Sequence, residues 1–200
     1  MSEEEVSLRE KILDISRHLM FEEGYKSLSM RKIAKQADVT ATSIYLYFEN
    51  KDHLLHTLIE ESVEDLSRFI EEKSLPKADT LERFKAIITG YVEFGINNPE
   101  KYEIIYMVRP DAMARYPKEK FRKTRRCYEL LVETIEQGVT QGLMEVEKPV
   151  VAAYSIWAQL HGIVSVVLGK RLDSRIGEQQ FIEESVELVI QGFLSRATVP

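Results

Sequence analysis

The chain is poor in residues that cross-link a fold or interrupt helices. Among its 200 residues there is one cysteine, Cys127, so no disulfide can form within the chain and a reducing cytoplasm is the expected location. Glycine and proline are scarce, at nine and six residues. No run of Val, Ile or Thr alternates with polar residues as a half-buried strand does. These absences favour an all-α fold.

Signals for export, membrane insertion, catalysis and metal binding are also missing. The first residues, MSEEEVS, are acidic and polar, and no apolar segment is expected to reach transmembrane length. The sequence has no HExxH motif, nucleophile elbow or phosphate loop. His53 and His56 lie one helical turn apart, which fits a solvated helix start better than a zinc site. We therefore expect a non-enzymatic cytoplasmic protein with no catalytic residue, metal, cofactor or membrane partner.

Charge is unevenly distributed along the chain. Apolar residues make up 44% and charged residues 30%, which is ordinary for a globular protein, and the net charge is −6. From residue 26 to residue 51, however, five bases and two acids give 5 − 2 = +3. Phosphate contacts require local positive charge and not a basic protein overall. The acidic total therefore does not exclude nucleic-acid binding by this segment.

Apolar periodicity and capping residues predict about nine helices. Helix one spans about Ser7–Glu23 and ends at Gly24, whose missing side chain suits a helix C-terminus. Ser29, Thr40, Asn50 and Asp79 are expected to cap helices two to five in turn. The remaining bounds are helix four from Asn50 to Ser74, helix five from Asp79 to Asn97, helices six, seven and eight opening at Pro99, Pro117 and Pro149, and helix nine at Glu178–Arg196.

Helix three, predicted at Thr40–Tyr47, is too short to be stable alone and carries hydroxyl groups around most of its surface. Ile44 is its evident apolar anchor. Such a helix is plausible where neighbours hold it rigid to present side chains, as in the recognition helix of a helix-turn-helix. Helix pairs with polar ends are also common in bundles, so the residues alone leave both interpretations open.

Residues Leu8 to Ile59 resemble the TetR family of bacterial transcriptional regulators. The resemblance is carried by ILDISRHLMFEEGY, SMRKIAKQADV and TATSIYLYFENKDHLL, whose last block matches the family pattern at Thr40, Thr42, Ile44, Tyr45, Phe48 and Lys51. Two positions depart from it: Ala41, where the family often has Lys or Arg, and Leu46. The DNA-contacting residues that the resemblance implies are Ser29, Met30, Arg31, Thr40, Ala41, Thr42, Ser43, Tyr45, Leu46, Tyr47 and Lys51.

A second resemblance covers the C-terminal part. The segments WAQLHG, at residues 157–162, and NPEKYEIIY, at 98–106, are similar to the ligand domain of TetR regulators with a Trp-His-Gly signature. Individually the aromatic residues fit ordinary core packing, but hydroxylated rings as a group suit a pocket for a mostly apolar molecule. The candidate pocket residues are Tyr91, Phe94, Tyr102, Tyr106, Tyr128, Trp157 and His161. Arg122, in a basic run, is a candidate contact for an anionic ligand.

These observations predict a DNA-binding domain at residues 1–53 and a ligand-binding and dimerisation domain at 54–200. The family resemblance implies a ligand-responsive regulator, most often a repressor, that binds a double-stranded DNA operator and is released by a small-molecule effector. A homodimer through helices eight and nine is expected, with contacts from Val164, Val167, Val186, Ile190 and Phe193. The alternative is a helical small-molecule-binding or scaffold protein that has lost operator binding.

Overall fold

The computed structural model describes residues 3–106 and 126–194, which contain nine α-helices and one short 3₁₀ turn at Tyr25–Ser27. The predicted all-α fold is confirmed. The helices are α1 Glu3–Glu23, α2 Met30–Ala37, α3 Ala41–Tyr45, α4 Lys51–Ser74, α5 Thr80–Asn97, α6 Pro99–Tyr106, α7 Arg126–Thr140, α8 Pro149–Leu168 and α9 Glu178–Gln191.

Cα packing divides the chain into two compact units. Among the described residues, the first unit contains those up to Glu64 together with α6, and the second contains Asp65–Asn98 and the residues from Arg126 onward. The division falls inside the continuous helix α4, where no change of composition marks it, and not between residues 53 and 54. Helix α6, which lies within the predicted ligand domain, packs against α1. The functional division at residue 53 stays a prediction.

The first unit has a single apolar core. Helix α2 packs on α1 and α3, and Ile104 of α6 joins the same cluster. Its fully buried members include Ile12, Ile33, Ile44, Leu54, Leu55 and Leu58. In the second unit, α5, α7 and α8 pack on one another, and α9 lies against α5 and α8. Each unit thus buries a core of its own.

The four predicted side-chain caps are confirmed. Ser29, Thr40, Asn50 and Asp79 each accept a hydrogen bond from a backbone N–H three residues later, at 3.2, 3.1, 2.8 and 2.9 Å. These N–H groups would otherwise lack a partner at a helix start. Gly24 ends α1 with φ 77°, as its predicted position required.

Three predicted helix bounds need comment. Helix α3 is shorter than predicted because Thr40 is its cap and the chain turns at Leu46, so only Ala41–Tyr45 is helical. Helix α9 ends at Gln191, before the predicted bound at Arg196: Gly192 is its C-cap residue, and Leu194 then pairs with Met144 in an isolated antiparallel bridge. The predicted start of helix seven at Pro117 lies outside the described residues.

The expectation that no segment reaches transmembrane length is wrong for α8. This helix has 20 residues and is apolar enough, by length and composition alone, to cross a membrane. A core helix of a folded bundle passes the same test. Seven of its side chains are buried, and the helix packs against α5, α7 and α9. Burial in a helical bundle therefore accounts for these seven side chains.

The turn between α2 and α3 is made by Asp38, which ends α2 in the left-handed conformation with φ 58° and ψ 46°. The following N–H, of Val39, bonds the Ala34 carbonyl at 3.0 Å. Glycine adopts this conformation without strain, and aspartate tolerates it because its short polar side chain bonds locally. The glycine often found in this turn is therefore replaced without loss of geometry.

Replacing Asp38 tests this turn. Asp38→Gly is expected to leave stability within about 1 kcal/mol of the original protein, whereas Asp38→Val should destabilise by about 1–2 kcal/mol, since a β-branched residue resists positive φ. Urea unfolding followed by circular dichroism measures both. Gln36→Val, at an exposed position inside α2, controls for helix propensity alone. Equal losses from the two valine variants would contradict the account.

Candidate nucleic-acid interface and the aromatic residues of the second unit

Helix α3 contains only five residues and is held in place by apolar anchors. Ile44 is 0% exposed and Phe48, just after the helix, is 1% exposed. Full burial of such side chains contributes about 1.5–3 kcal/mol each, which offsets the unfavourable nucleation of one helical turn. The first unit thereby fixes both the position and the rotation of α3.

With Ile44 inward, one face of α3 points to solvent. Thr42, Tyr45 and Leu46 stand at i, i+3 and i+4, so they share this face. Tyr45 is 53% exposed and Leu46 is 80% exposed. At the start of the helix the hydroxyls of Thr40 and Ser43 lie 2.9 Å apart. The outward face therefore carries hydroxyl, aromatic and aliphatic groups and no charge.

Three residues predicted to contact DNA are buried or partly buried against the core of the first unit. Met30 is 7% exposed and belongs to the apolar cluster of the first unit, while Ala41 and Tyr47 are partly buried against that cluster. The motif does not indicate which side of such a short helix is buried, because the residues that bury it come from other helices. For these three side chains the predicted contact with DNA is not supported by their placement.

Exposed basic side chains lie on α2 and on the turn that precedes it. Arg31, which was predicted to contact DNA, is exposed on α2, as is Lys35, and Lys26 is exposed in the preceding turn. Within the part of the chain that the structure describes, no ion pair of these three is found. Lys32, by contrast, pairs with Glu23. The local positive charge inferred from the sequence is thus carried mainly by three solvent-facing side chains.

Lys51 has an internal partner. Its Nζ donates to the Tyr25 carbonyl at 2.5 Å and lies 3.7 Å from the centre of the Tyr25 ring. The Tyr25 hydroxyl donates to Asp52 Oδ1 at 2.6 Å. Burial lowers the pKa of Lys51, against the opposing effect of the Asp52 charge. Burial, the hydrogen bond to Asp52 and the Asp52 charge together raise the pKa of Tyr25 to about 12. These contacts fasten the start of α4 to the 3₁₀ turn.

The seven predicted pocket residues are divided between the two units. Tyr102 and Tyr106 belong to the first unit, where their ring centres lie 4.8 Å apart. Tyr91 and Phe94 are buried in the second unit, 6% and 2% exposed. The remaining three, Tyr128, Trp157 and His161, lie in the second unit. The predicted common pocket stays a prediction.

A row of four rings runs from α7 along α8, and we call it the aromatic strip: Tyr128, Tyr154, Trp157 and His161. Successive ring centres are 4.8, 6.3 and 5.4 Å apart, and the His161 ring stacks on Trp157 at 17°. The Tyr128 hydroxyl donates to the Val150 carbonyl at 2.7 Å. Tyr154, 52% exposed, was missed by the sequence analysis, although it stands three residues before Trp157.

An open depression of about 320 Å³ lies on α7, lined by Glu133, Glu136, Gln137, Thr140 and Gln141. None of the predicted pocket residues lines it. Its acidic rim does not suit an anionic ligand. Arg122, the predicted contact for such a ligand, lies outside the described residues.

The predicted dimer contacts on α8 and α9 are mostly buried within the chain itself. Val164, Val167, Val186 and Ile190 are 0–7% exposed and pack in the core of the second unit. The apolar groups that α8 and α9 present to solvent are Val150, Val151, Tyr154 and Leu188, each more than half exposed. Ala158 and Gly162 are also exposed on α8. The choice of helices is compatible with a dimer, but these four side chains are not the ones that α8 and α9 present to solvent, and their contacts across a dimer stay a prediction.

Comparisons with known proteins identify the family. Residues 12–58 match the model of bacterial regulatory proteins of the tetR family, and residues 84–193 match the tetracyclin repressor-like C-terminal domain. The second match alone covers more than half of the chain, so the protein belongs to the TetR family. The predicted family is confirmed, while the Trp-His-Gly subtype stays a prediction.

The chain is similar to named relatives over part of its length. An uncharacterized HTH-type transcriptional regulator of Haemophilus influenzae is 49% identical over 55 residues, which are 28% of this chain and 29% of the relative. A fatty acid metabolism regulator protein of Bacillus subtilis is 35% identical over 81 residues, 40% of this chain and 42% of the relative. The matches thus span less than half the length of these relatives.

The fold also matches a solved complex. The crystal structure of AibR with isovaleryl coenzyme A and operator DNA aligns with a TM-score of 0.74 at 19% identity, covering 90% of this chain and 97% of that chain. At this identity the likeness establishes the shared fold.

The stacked pair in the aromatic strip gives a pH prediction. Burial lowers the pKa of His161 from its ordinary value of 6.5. Excited at 295 nm, Trp157 is expected to lose fluorescence as the pH falls, because a protonated imidazole stacked on the indole quenches it, with a midpoint below 6.5. Trp157 is the only tryptophan, so the signal has one source. His161→Gln should remove the transition; a midpoint at or above 6.5 would contradict the assignment.

Proposed function

We propose that this protein is a ligand-responsive, DNA-binding transcriptional regulator that acts as a dimeric repressor in the cytoplasm. The proposal rests on one observation: α3 is held rigidly with one side facing solvent, next to the exposed basic side chains of α2. Membership of the TetR family and the match of the first unit to its DNA-binding segment support it. The proposed activity is the regulation of transcription and not catalysis.

In the proposed complex α3 lies in the major groove and α2 crosses the phosphate backbone. Thr42, Tyr45 and Leu46 then face base edges, while Arg31 and Lys35 contact phosphates and set the register. Lys51 contributes mainly by fastening α4 to the 3₁₀ turn, because its Nζ both bonds the Tyr25 carbonyl and lies over the Tyr25 ring. Two copies read half-sites about 34 Å apart, one helical turn of DNA.

The second unit is proposed to bind the effector. A protein of the same fold, AibR, was crystallised with both isovaleryl coenzyme A and operator DNA, which supports a linked ligand site. We expect a mostly apolar molecule with a few polar groups, contacting Trp157 and His161. Effector binding would favour a state in which the two recognition helices no longer fit one face of the DNA, and DNA binding would weaken effector affinity by the same factor.

Dimerisation is proposed through the exposed side of α8 and α9. Val151, Ala158 and Gly162 recur at i, i+7 and i+11 and so form one stripe on α8, and Leu188 is 74% exposed on α9. Within the described chain, a Cβ added to Gly162 would meet no atom within 4 Å. Gly162 therefore leaves space on α8 for the close approach of a second copy.

Gly162→Arg should separate the dimer without unfolding the protomer. The new side chain has space within the chain, and replacing a helical glycine should stabilise α8 by about 0.5–1 kcal/mol. Sedimentation velocity at micromolar concentration is expected to shift from dimer to monomer, with unchanged far-UV circular dichroism. Glu136→Arg, exposed on α7, is the control and should stay dimeric. A dimeric Gly162→Arg variant, or a monomeric original protein, would remove this interface.

Arg31→Ala tests the DNA docking. On a duplex from the region upstream of the protein's own gene, the substitution should weaken binding to all sequences alike. Because one phosphate contact is lost per protomer, the slope of log K against log salt should flatten by about one per contact. Fluorescence anisotropy at several salt concentrations measures both effects.

Arg68→Ala, at an exposed arginine of the second unit, is the matched control and should leave affinity and slope unchanged. If Arg31→Ala behaved like the control on a duplex that the protein binds, the placement of α2 on the backbone would be wrong. If the original protein bound no upstream or random duplex, it would instead be a helical ligand-binding or scaffold protein.

A further inference from the structure

We propose that α3 recognises thymine through its methyl group, with Leu46 and Thr42 as the reading side chains. The operator half-sites would then hold A·T pairs where α3 faces the major groove. This inference rests on the proposed DNA-binding function and adds the kind of sequence that is read.

The side-chain inventory of α3 excludes the usual polar contacts. The segment from Thr40 to Tyr47 has no Arg, Lys, Asn or Gln. Bidentate hydrogen bonding to guanine uses Arg or Lys, and to adenine Asn or Gln. Only hydroxyls and apolar groups remain for base contact. Hydroxyls contact several bases and discriminate weakly, so the apolar groups must carry most of the specificity that α3 supplies.

The position of Leu46 points to one base. It is 80% exposed, the highest value among the large hydrophobic side chains of the described residues, and shares its face with Thr42. Thymine is the one DNA base with a methyl group in the major groove. Contact between the Leu46 side chain and that methyl removes apolar surface of both partners from water. The Thr42 γ-methyl can make the same contact one turn earlier.

The surroundings favour this division of roles. Ile44 is fully buried, so the outward face cannot rotate away without exposing it. Arg31 and Lys35 lie on α2 and not on α3, which places positive charge beside the backbone and leaves the groove-facing surface neutral. The side chain of Leu46 and the γ-methyl of Thr42 gain nothing from phosphate, so these apolar groups contribute at base edges.

The test compares thymine with uracil, carried in the duplex as deoxyuridine, because the two bases differ only by the methyl group. Duplexes bound by the full-length protein are first selected from a random pool. Each thymine of the selected half-site is then replaced singly by deoxyuridine, and the dissociation constant is measured by anisotropy. One or two positions should lose about fourfold in affinity per buried methyl, and more than tenfold when both half-sites are changed.

Variants assign the effect to the side chain. Leu46→Ala should bind the thymine duplex more weakly and should lose the difference between thymine and uracil at one position. Leu46→Met, which keeps the apolar contact, should retain it. Leu75→Ala removes a leucine that is 52% exposed in the second unit and should change nothing. Because Leu46 is exposed, circular dichroism and melting should be unaltered in all three.

Each outcome is decisive. Selected duplexes that show no deoxyuridine effect at any position, or an effect that Leu46→Ala leaves intact, overturn the inference while the DNA-binding function stands. Failure to select any duplex overturns the proposed function and this inference with it. A loss of affinity at particular deoxyuridine positions that disappears only in Leu46→Ala supports both the DNA-binding function and this inference.

Discussion

Burial of Ile44 is the constraint on which the proposed DNA-reading surface depends. A five-residue helix has too few hydrogen bonds to offset its unfavourable nucleation, so α3 forms because the first unit buries Ile44 and, just after the helix, Phe48. The caps at Ser29 and Thr40 fix where the two short helices begin, and Asp38 fixes the turn between them. The same burial that stabilises α3 also determines which of its side chains meet solvent.

Charge and shape are divided between adjacent helices in the first unit. The basic side chains that can contact phosphate lie on α2 and on the turn before it, whereas α3 presents a neutral face. This separation explains how a chain with a net charge of −6 can be proposed to bind DNA. It also gives specificity and non-specific affinity different structural origins, so that each responds to different substitutions.

Local features were predictable from the sequence and tertiary ones were not. The caps, the stop at Gly24 and the proline at the start of α6 and α8 follow from backbone groups a few residues away, and the family follows from a long ordered motif. The inward position of Met30 and of Val164 depends on which neighbouring helix covers an apolar stripe. The engagement of Lys51 depends on a carbonyl 26 residues earlier in the chain. No periodicity or spacing encodes these contacts, which arise only on folding.

The central claim is that DNA meets the outward face of α3 and the adjoining side of α2. Hydrogen–deuterium exchange of the full-length protein, with and without a bound duplex from its own upstream region, tests this directly. The account predicts that added protection is concentrated in residues 29–48, with the aromatic strip unchanged in the absence of effector. Tight binding that protects other segments and leaves residues 29–48 exchanging as in the unbound protein would contradict it.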